Sequence, residues 1–434
     1  MPVPIVCQSD ALRQFAAEFA AVFPSAGYLH FVTVRLGLLV APERRTLSGL
    51  RRAVVGAGSL SALSRFCAAA PWSAAALAVA WQARFRDQLA PQIQAEHARQ
   101  RAGRPRRRGR PTPTRVTVFA CFDDSPIEKH TQGRTGRRMA GVGKHYSTLA
   151  NGIVTGHSLF TGVLVALGRR CPLPPRLYRQ RAVAAAEGVP FRSKVDLVVE
   201  AVQALVPLPG TATHVLVDSW YTCRRLWRAA RARGFHVTGG LRTNRWLRLP
   251  DPTAPAGHRR ARLSAYVAGL TPADFVLVPW RGRLVAAHLV RTFVYKLGAC
   301  QVLVVKETPE APAHTARCWA TSDLAADAAA VAGYAALRWD VETYIEEGKE
   351  LLGLDHYQLT SAAAIERFWH LVACAYLHLD EVRAALAARG QPGATLGDAL
   401  RAEQAVQRRH LLGWLQDHFQ RGATVDEVQQ LLAA

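Results

Sequence analysis

The sequence predicts an α/β protein: a mixed sheet with helices on its faces, set between a helical N-terminal region and a helical C-terminal tail. Three observations carry this. From residue 115, short apolar runs rich in β-branched residues alternate with helical patterns, which is the signature of strands and helices layered together. Residues 1–97 contain no such runs and show helical spacing throughout. Beyond residue 355, apolar residues again recur at helical intervals in AIERFWHLVACAYLHLDEV and QRRHLLGWLQDHF.

In chain order, helices are predicted over about 9–23, 28–41, 46–57, 59–70 and 72–95, with Thr46, Ser59 and Ser73 in capping positions. The stretch RRTLSGLRRAVVGAGSLSALSRF suits a compact DNA-binding unit, and a plain basic bundle fits it equally well. Residues 98–114 are dominated by Arg, Gly and Pro with no apolar anchor, so they read as an exposed linker, either merely solvated or, as the whole-chain charge favours, one whose Arg106, Arg107 and Arg108 meet phosphates. VTVFACF (116–122) is then a buried strand ending at Asp123 and Asp124, and residues 152–167 form one or two more. A helix over 195–205, a strand over 213–219 ending in Asp218, a helix over 220–234 and a strand over 235–241 follow. Residues 243–316 interrupt this order with an antiparallel meander, FVLVPW, RLVAAHLVRTFVY and ACQVLVVKE. The resulting division is 1–97 as a helical DNA-binding domain, 98–114 as linker, 115–242 as the first part of a core, 243–316 as a β-rich insertion, 317–360 as the second part of the core, and 361–434 as the helical tail.

The stretch YAALRWDVETYIEEGKELLGL (334–354) reads as one unbroken helix up to Gly353, with Arg338, Glu342 and Lys349 on nearly one face. On its own this is also what a solvated helix with an Arg–Glu pair looks like. Its company changes the reading. Asp123 and Asp218 close neighbouring strands, where ligands meet open α/β sheets, although Asp218 also suits the N-cap of the helix behind it. Two carboxylates 4 Å apart repel by about 4 kcal/mol at an effective dielectric near 20, so an acid cluster persists when something cationic binds it. Oxygen donors without His or Cys select Mg²⁺ or Mn²⁺. Two such ions would activate a nucleophile and steady the leaving oxygen of a phosphodiester.

Composition points to the same partner. The chain has 55 Lys and Arg against 32 Asp and Glu, a formal charge of +23, which attracts polyanions, with DNA foremost. Eight cysteines stand singly with no CxxC pair, so neither a zinc site nor a redox pair is signalled, and free thiols in a reducing cytoplasm are expected. The most apolar run, about 66–82, is too short and too interrupted to span a membrane. A soluble protein with no membrane partner is expected.

On these residues the chain resembles the DDE transposases of bacterial insertion sequences, in the branch with a β-rich insertion before the catalytic glutamate. CFDDSP is similar to the first-aspartate motif, HVLVDSWY (214–221) to the second, RWDVETYIEEGK to an Arg-x3-Glu-x6-Lys signature, and GLDHYQLTSAAAIERFWHLVACAYL to the helical tail behind it. The resemblance implies a ribonuclease-H-like core in which Asp123, Asp218 and Glu342 bind two divalent ions, with Arg338 and Lys349 on the DNA backbone. It implies double-stranded DNA as partner, a homodimer on DNA, and a cytoplasmic, nucleoid-associated protein. The motif pattern favours Asp123 over Asp124, and the Lys spacing favours Glu342 over Glu346 and Glu347. Tyr334 lies four residues before Arg338 where the signature has three, which turns its ring toward the core. Arg242 and Arg245, beside Asn244, are further candidates for phosphate contact. Lys144, His145 and Tyr146 stay near the site without a role, and Trp280 and Trp319 stay unassigned. The rival functions are a stand-alone divalent-metal endonuclease and a non-catalytic DNA-binding protein derived from a transposase.

Overall fold

The computed structural model of the chain describes residues 10–41, 44–103, 115–131, 138–148 and 150–433. Arg106, Arg107 and Arg108 lie outside the described residues. Five N-terminal helices come first: α1 (Asp10–Ala17), α2 (Ser25–Val40), α3 (Leu47–Ala53), α4 (Leu60–Ala68) and α5 (Ala74–Ala102). Thr46, Ser59 and Ser73 each cap a helix by accepting a backbone N–H. α5 runs on through Pro91 to Ala102, past its expected end. Its Leu77, Trp81, Phe85, Leu89 and Ile93 are buried, and past residue 95 His97 meets Gly210 O while Gln100 bonds to the Arg115 backbone.

The sheet follows, with β1 (Val116–Glu128), β2 (Gly143–Ser147), β3 (Gly152–Ala166) and β4 (Arg169–Tyr178), then α6 (Arg181–Ala186), α7 (Lys194–Ala204), β5 (Thr211–Val217), α8 (Arg224–Ala232) and β6 (His236–Gly240). Residues 243–316 supply β7 (Trp246–Pro250), β8 (His258–Arg262), α9 (Leu263–Ala268), β9 (Val276–Trp280), β10 (Arg283–Val294) and β11 (Gly298–Lys306), and β12 (Arg317–Thr321) follows. Among the described residues the strands make one sheet, in the order β2-β3-β1-β5-β6-β12-β11-β10-β7-β8, with β4 on β3 and β9 on β10. β1 pairs antiparallel with β3 and parallel with β5, so the sheet is mixed. This is the α/β architecture expected, consistent with a ribonuclease-H-like core. Residues 243–316 join that sheet through the pairing of β11 with β12 and of β12 with β6.

The helices α10 (Ala328–Leu337), α11 (Asp340–Leu352), α12 (Ala362–Ala388), α13 (Leu396–Gln420) and α14 (Val425–Ala433) complete the chain. The single helix expected over 334–354 is therefore two. Backbone hydrogen bonds tighten at the junction, where Trp339 N–H donates to Ala336 O, so Arg338 and Trp339 form a joint. The physical reason is a change of partner. α10 packs on β9 and the strands around it, while α11 packs on β1, β3 and α12. α11 ends at Gly353, whose φ of +65° suits glycine, with Leu354 N–H closing back on Gly348 O.

One hydrophobic core runs from Leu12 in α1 through the sheet to Leu400 in α13. α12 is its axis: every residue from Phe368 to Asp380 is buried. The N-terminal helices α2, α4 and α5 all lie against it. A smaller core, including Val278, Val285, Leu303 and Val331, joins β9, β10 and β11 to α10. Trp280 and Trp319 pack against it with ring centroids 5.0 Å apart.

Candidate active site

Backbone register brings the first two acids level. The parallel pairing of β1 with β5 ends at Cys121 beside Leu216, and Asp123 and Asp218 each stand two residues further on. The expectation that Asp123 closes its strand is corrected. β1 continues to Glu128 because β3 goes on pairing with it, Glu128 opposite Gly156, after β5 has stopped. Asp123 thus sits on a braced strand whose other edge has just become free, and Pro126 is tolerated on such an edge.

Asp218 does not cap the following helix, which begins at Arg224 with Cys223 in the capping position. Its Oδ1 instead accepts the N–H groups of Trp220 and Tyr221 at 2.9 and 3.1 Å, closing a turn. Gly240 on β6 makes room for that turn, since a Cβ there would come within 2.9 Å of Ser219 N.

Neighbouring residues of a strand point to opposite faces, and this separates the two acids of CFDDSP. Asp123 faces α11: its Oδ2 receives a hydrogen bond from Arg338 Nη1 at 3.2 Å, and its Oδ1 accepts the Asp124 N–H at 2.8 Å. Asp124 faces the other way and is fully engaged. Lys194 Nζ (2.5 Å) and Ser158 Oγ (3.3 Å) donate to its Oδ2, and the Tyr221 hydroxyl donates to its Oδ1 at 2.6 Å.

Arg338, at the joint between α10 and α11, donates through Nη2 to Glu342 as well as through Nη1 to Asp123. One guanidinium therefore links the acid of β1 to the acid of α11. Burial opposes the Arg338 charge, but Glu342 and Asp123 more than offset it, and its pKa is raised. Asp123 is pushed up to about 7, first by burial and then by the charges of Asp218 and Asp124, with Arg338 working against them. Burial also raises Asp218, opposed by the Tyr221 and Trp220 N–H groups and by Arg338. Among the described residues, no three His, Cys, Asp or Glu side chains stand close enough together to hold an ion as they are. The Arg338 guanidinium occupies the space between two of the acids.

Lys349 extends the pattern along β1. Its Nζ donates to Ser125 Oγ at 2.9 Å and to Pro126 O at 3.4 Å, so Arg338 and Lys349 meet β1 at Asp123 and Ser125, on one face of the strand. Glu347 is turned away, receiving the Tyr376 hydroxyl, and Glu346 is exposed. Tyr334 lies against His214 and Phe119, at ring-centroid distances of 4.4 and 5.5 Å.

Beside the acids, on the Asp124 side of β1, opens a cleft of about 890 Å³. Lys144, His145, Tyr146, Arg242, Asn244 and Arg245 line it. Arg245 donates to Thr222 O at 2.8 Å, bracing the turn behind Asp218. The Arg242 guanidinium lies over Trp220 at 5.7 Å.

Tyr221 belongs to the second-aspartate motif, whereas Lys194 and Ser158 were not singled out by sequence reasoning. A signal for Lys194 exists: Ser193 and Asp196 form a capping box at the start of α7, which presents Lys194 from the helix's first position. Nothing local marks Ser158, which reaches Asp124 only through the pairing of β3 with β1.

Two family models match the chain. One described as a transposase DDE domain covers residues 193–377, which include Asp218 and Glu342. One described as a DDE superfamily endonuclease covers residues 18–276, which include Asp123 and Asp218. No curated protein matches the chain.

Proposed function

The chain belongs to the DDE superfamily of endonucleases, enzymes that act on DNA, and we propose that it is the transposase of an insertion sequence. It cuts at the element's terminal inverted repeats and joins the freed 3′-hydroxyl to DNA. Asp123, Asp218 and Glu342 carry the chemistry. The supporting observation is the Arg338 guanidinium, which draws acids from β1 and α11 around one cation beside Asp218.

The donor set fits hard divalent ions. It is all oxygen, and the raised Asp123 and Asp218 are acids that a bound cation would relieve. Two Mg²⁺ or Mn²⁺ ions held by Asp123, Asp218 and Glu342 would activate water or a hydroxyl and offset charge on the phosphodiester. Arg338 is the chain's own counter-charge at this place. Once it leaves Asp123 or Glu342, its planar fork suits a phosphate of the DNA backbone. Lys349 holds β1 to α11 and so keeps Asp123 in register with Glu342. Joining two ends in one reaction calls for a homodimer on DNA.

The test is an Asp218→Ala variant incubated with labelled element-end DNA and Mg²⁺. Cutting should disappear while DNA binding stays near that of the parent. Cutting at the parental rate would remove Asp218 from the mechanism.

A further inference from the structure

Away from the acids, a second pocket of about 460 Å³ opens between α5, α7 and α12, over the face of β1 opposite Asp123. Its sides are small and apolar, with Ala74 and Ala78 on α5 and Ala201 and Ala204 on α7. Phe122 and Phe160 line it too, their rings parallel within 3° at 6.1 Å. Gly162 leaves room for this pair, since a Cβ there would come within 2.7 Å of the Phe122 ring. The polar groups stand on α12, where Glu366 and His370 line the pocket one turn apart. Glu366 accepts the Leu177 N–H at 2.9 Å and has no ion pair among the described residues. Its cationic neighbours are engaged elsewhere, Arg176 with Glu200 and Arg179 with Glu187, each at 2.7 Å. Burial raises the Glu366 carboxyl. His370 is 6% exposed, and burial brings its imidazole down to about 4, so the ring is neutral at physiological pH. Its Nδ1 donates to Glu366 O at 2.7 Å, which leaves Nε2 as an acceptor with no partner among the described residues.

We propose that this pocket binds a small apolar amine, its hydrocarbon body against the alanines and Phe122 and its ammonium group donating to Glu366 and His370, and that occupancy is felt at Asp123. A pocket of about 460 Å³ with apolar walls and a few convergent polar groups is the usual form of a small-ligand site. Both polar groups on α12 accept, so the ligand's head must donate, and an unpaired carboxylate is best answered by a cation. Arg86 also lines the pocket, and a ligand with an acid head would turn to that residue instead. The route to Asp123 is one residue long: Phe122 lies in the pocket wall, and Asp123 follows it on the opposite face of β1. Phe160 lies 6.1 Å from the ring of Tyr221, whose hydroxyl donates to Asp124. The site goes beyond the proposed action on DNA, and only its coupling to Asp123 rests on that action.

The experiment titrates the full chain, without DNA, with phenylbutylamine, phenylbutanol and phenylbutyrate, which share one body and differ in the head group. Read by isothermal calorimetry, the amine should bind most tightly. Glu366→Gln should weaken the amine by about 10- to 150-fold, the range for losing a hydrogen bond to a charged group, and leave the alcohol unchanged. Ala204→Trp, at an exposed position of the lining, should block amine and alcohol alike. Cutting of element-end DNA in Mg²⁺ by the amine-saturated parent should differ from that of the free protein, and the difference should vanish in Glu366→Gln. Phenylbutyrate binding as tightly as the amine, or an amine affinity untouched by Glu366→Gln or by Ala204→Trp, would overturn the site. Unchanged cutting by a saturated protein would overturn the coupling. Binding is read without DNA, so a failure of the site and a failure of the proposed cutting are seen separately.

Discussion

Replacing Asp123 by Asn should change how stability depends on pH. In the folded chain the Asp123 carboxyl is raised from 3.8 to about 7, and its side chain is only 19% exposed. The sign follows from proton linkage. Between these values the folded state holds a proton that the unfolded chain has released, so Asp123 stabilises the fold at low pH. That contribution drains away as pH rises through about 7. Each pH unit in the window is worth ~1.4 kcal/mol. From pH 5 to pH 8 the parent should therefore lose about 2.5 kcal/mol that Asp123→Asn keeps. The assay is urea unfolding followed by tryptophan fluorescence for both proteins at both pH values, with the difference of differences as readout. Mg²⁺ at pH 8 should restore stability to the parent and much less to the variant, since a ligand of the folded state stabilises by mass action. If parent and variant lose the same stability between pH 5 and 8, Asp123 is an ordinary surface acid and the account of an acid raised by burial and neighbouring charge is wrong.

Three further outcomes follow from the same geometry. Lys349→Ala removes the hydrogen bonds to Ser125 and Pro126 and should cost about 1–3 kcal/mol. It should also slow cutting of element-end DNA, and a change silent in both unfolding and cutting would reduce Lys349 to surface charge. Tyr221→Phe deletes the 2.6 Å bond to Asp124, loosening the turn that holds Asp218; kcat should fall with KM little changed, and an unaltered kcat would sink the link. Asp380→Ala breaks the pair with Arg169, whose side chains are 1% and 8% exposed, and strands a cation between β4 and α12. Urea unfolding should show a loss of about 3–5 kcal/mol, and a loss under about 1 kcal/mol would mean the pair is relieved by water.

Much of the architecture was legible because it is written in local chemistry. The alternation of apolar runs with helical patterns announces the strands from Val116 onward, and Thr46, Ser59 and Ser73 cap helices as their types suggest. Where the reading slipped, long-range packing overrode local preference. The helix over 334–354 has a continuous pattern, yet it breaks at Arg338 and Trp339 because its two halves rest on different surfaces. The end of β1 could not be read because β3 sustains it past Asp123. The partners of Asp124 could not be paired with it for the same reason: Lys194, Ser158 and Tyr221 are 70, 34 and 97 residues away in sequence.

By itself, the order of residues determined which elements form, the strong positive charge and the identity of the three acids worth watching. These depend on side-chain type and on spacing along one element, quantities a linear chain carries openly. Only the tertiary structure decided that Asp123 turns toward Arg338 while Asp124 turns toward Lys194, and that one guanidinium links acids 219 residues apart. Which face of a strand meets which helix is settled by the packing of the whole core, and no local stretch of sequence contains that information.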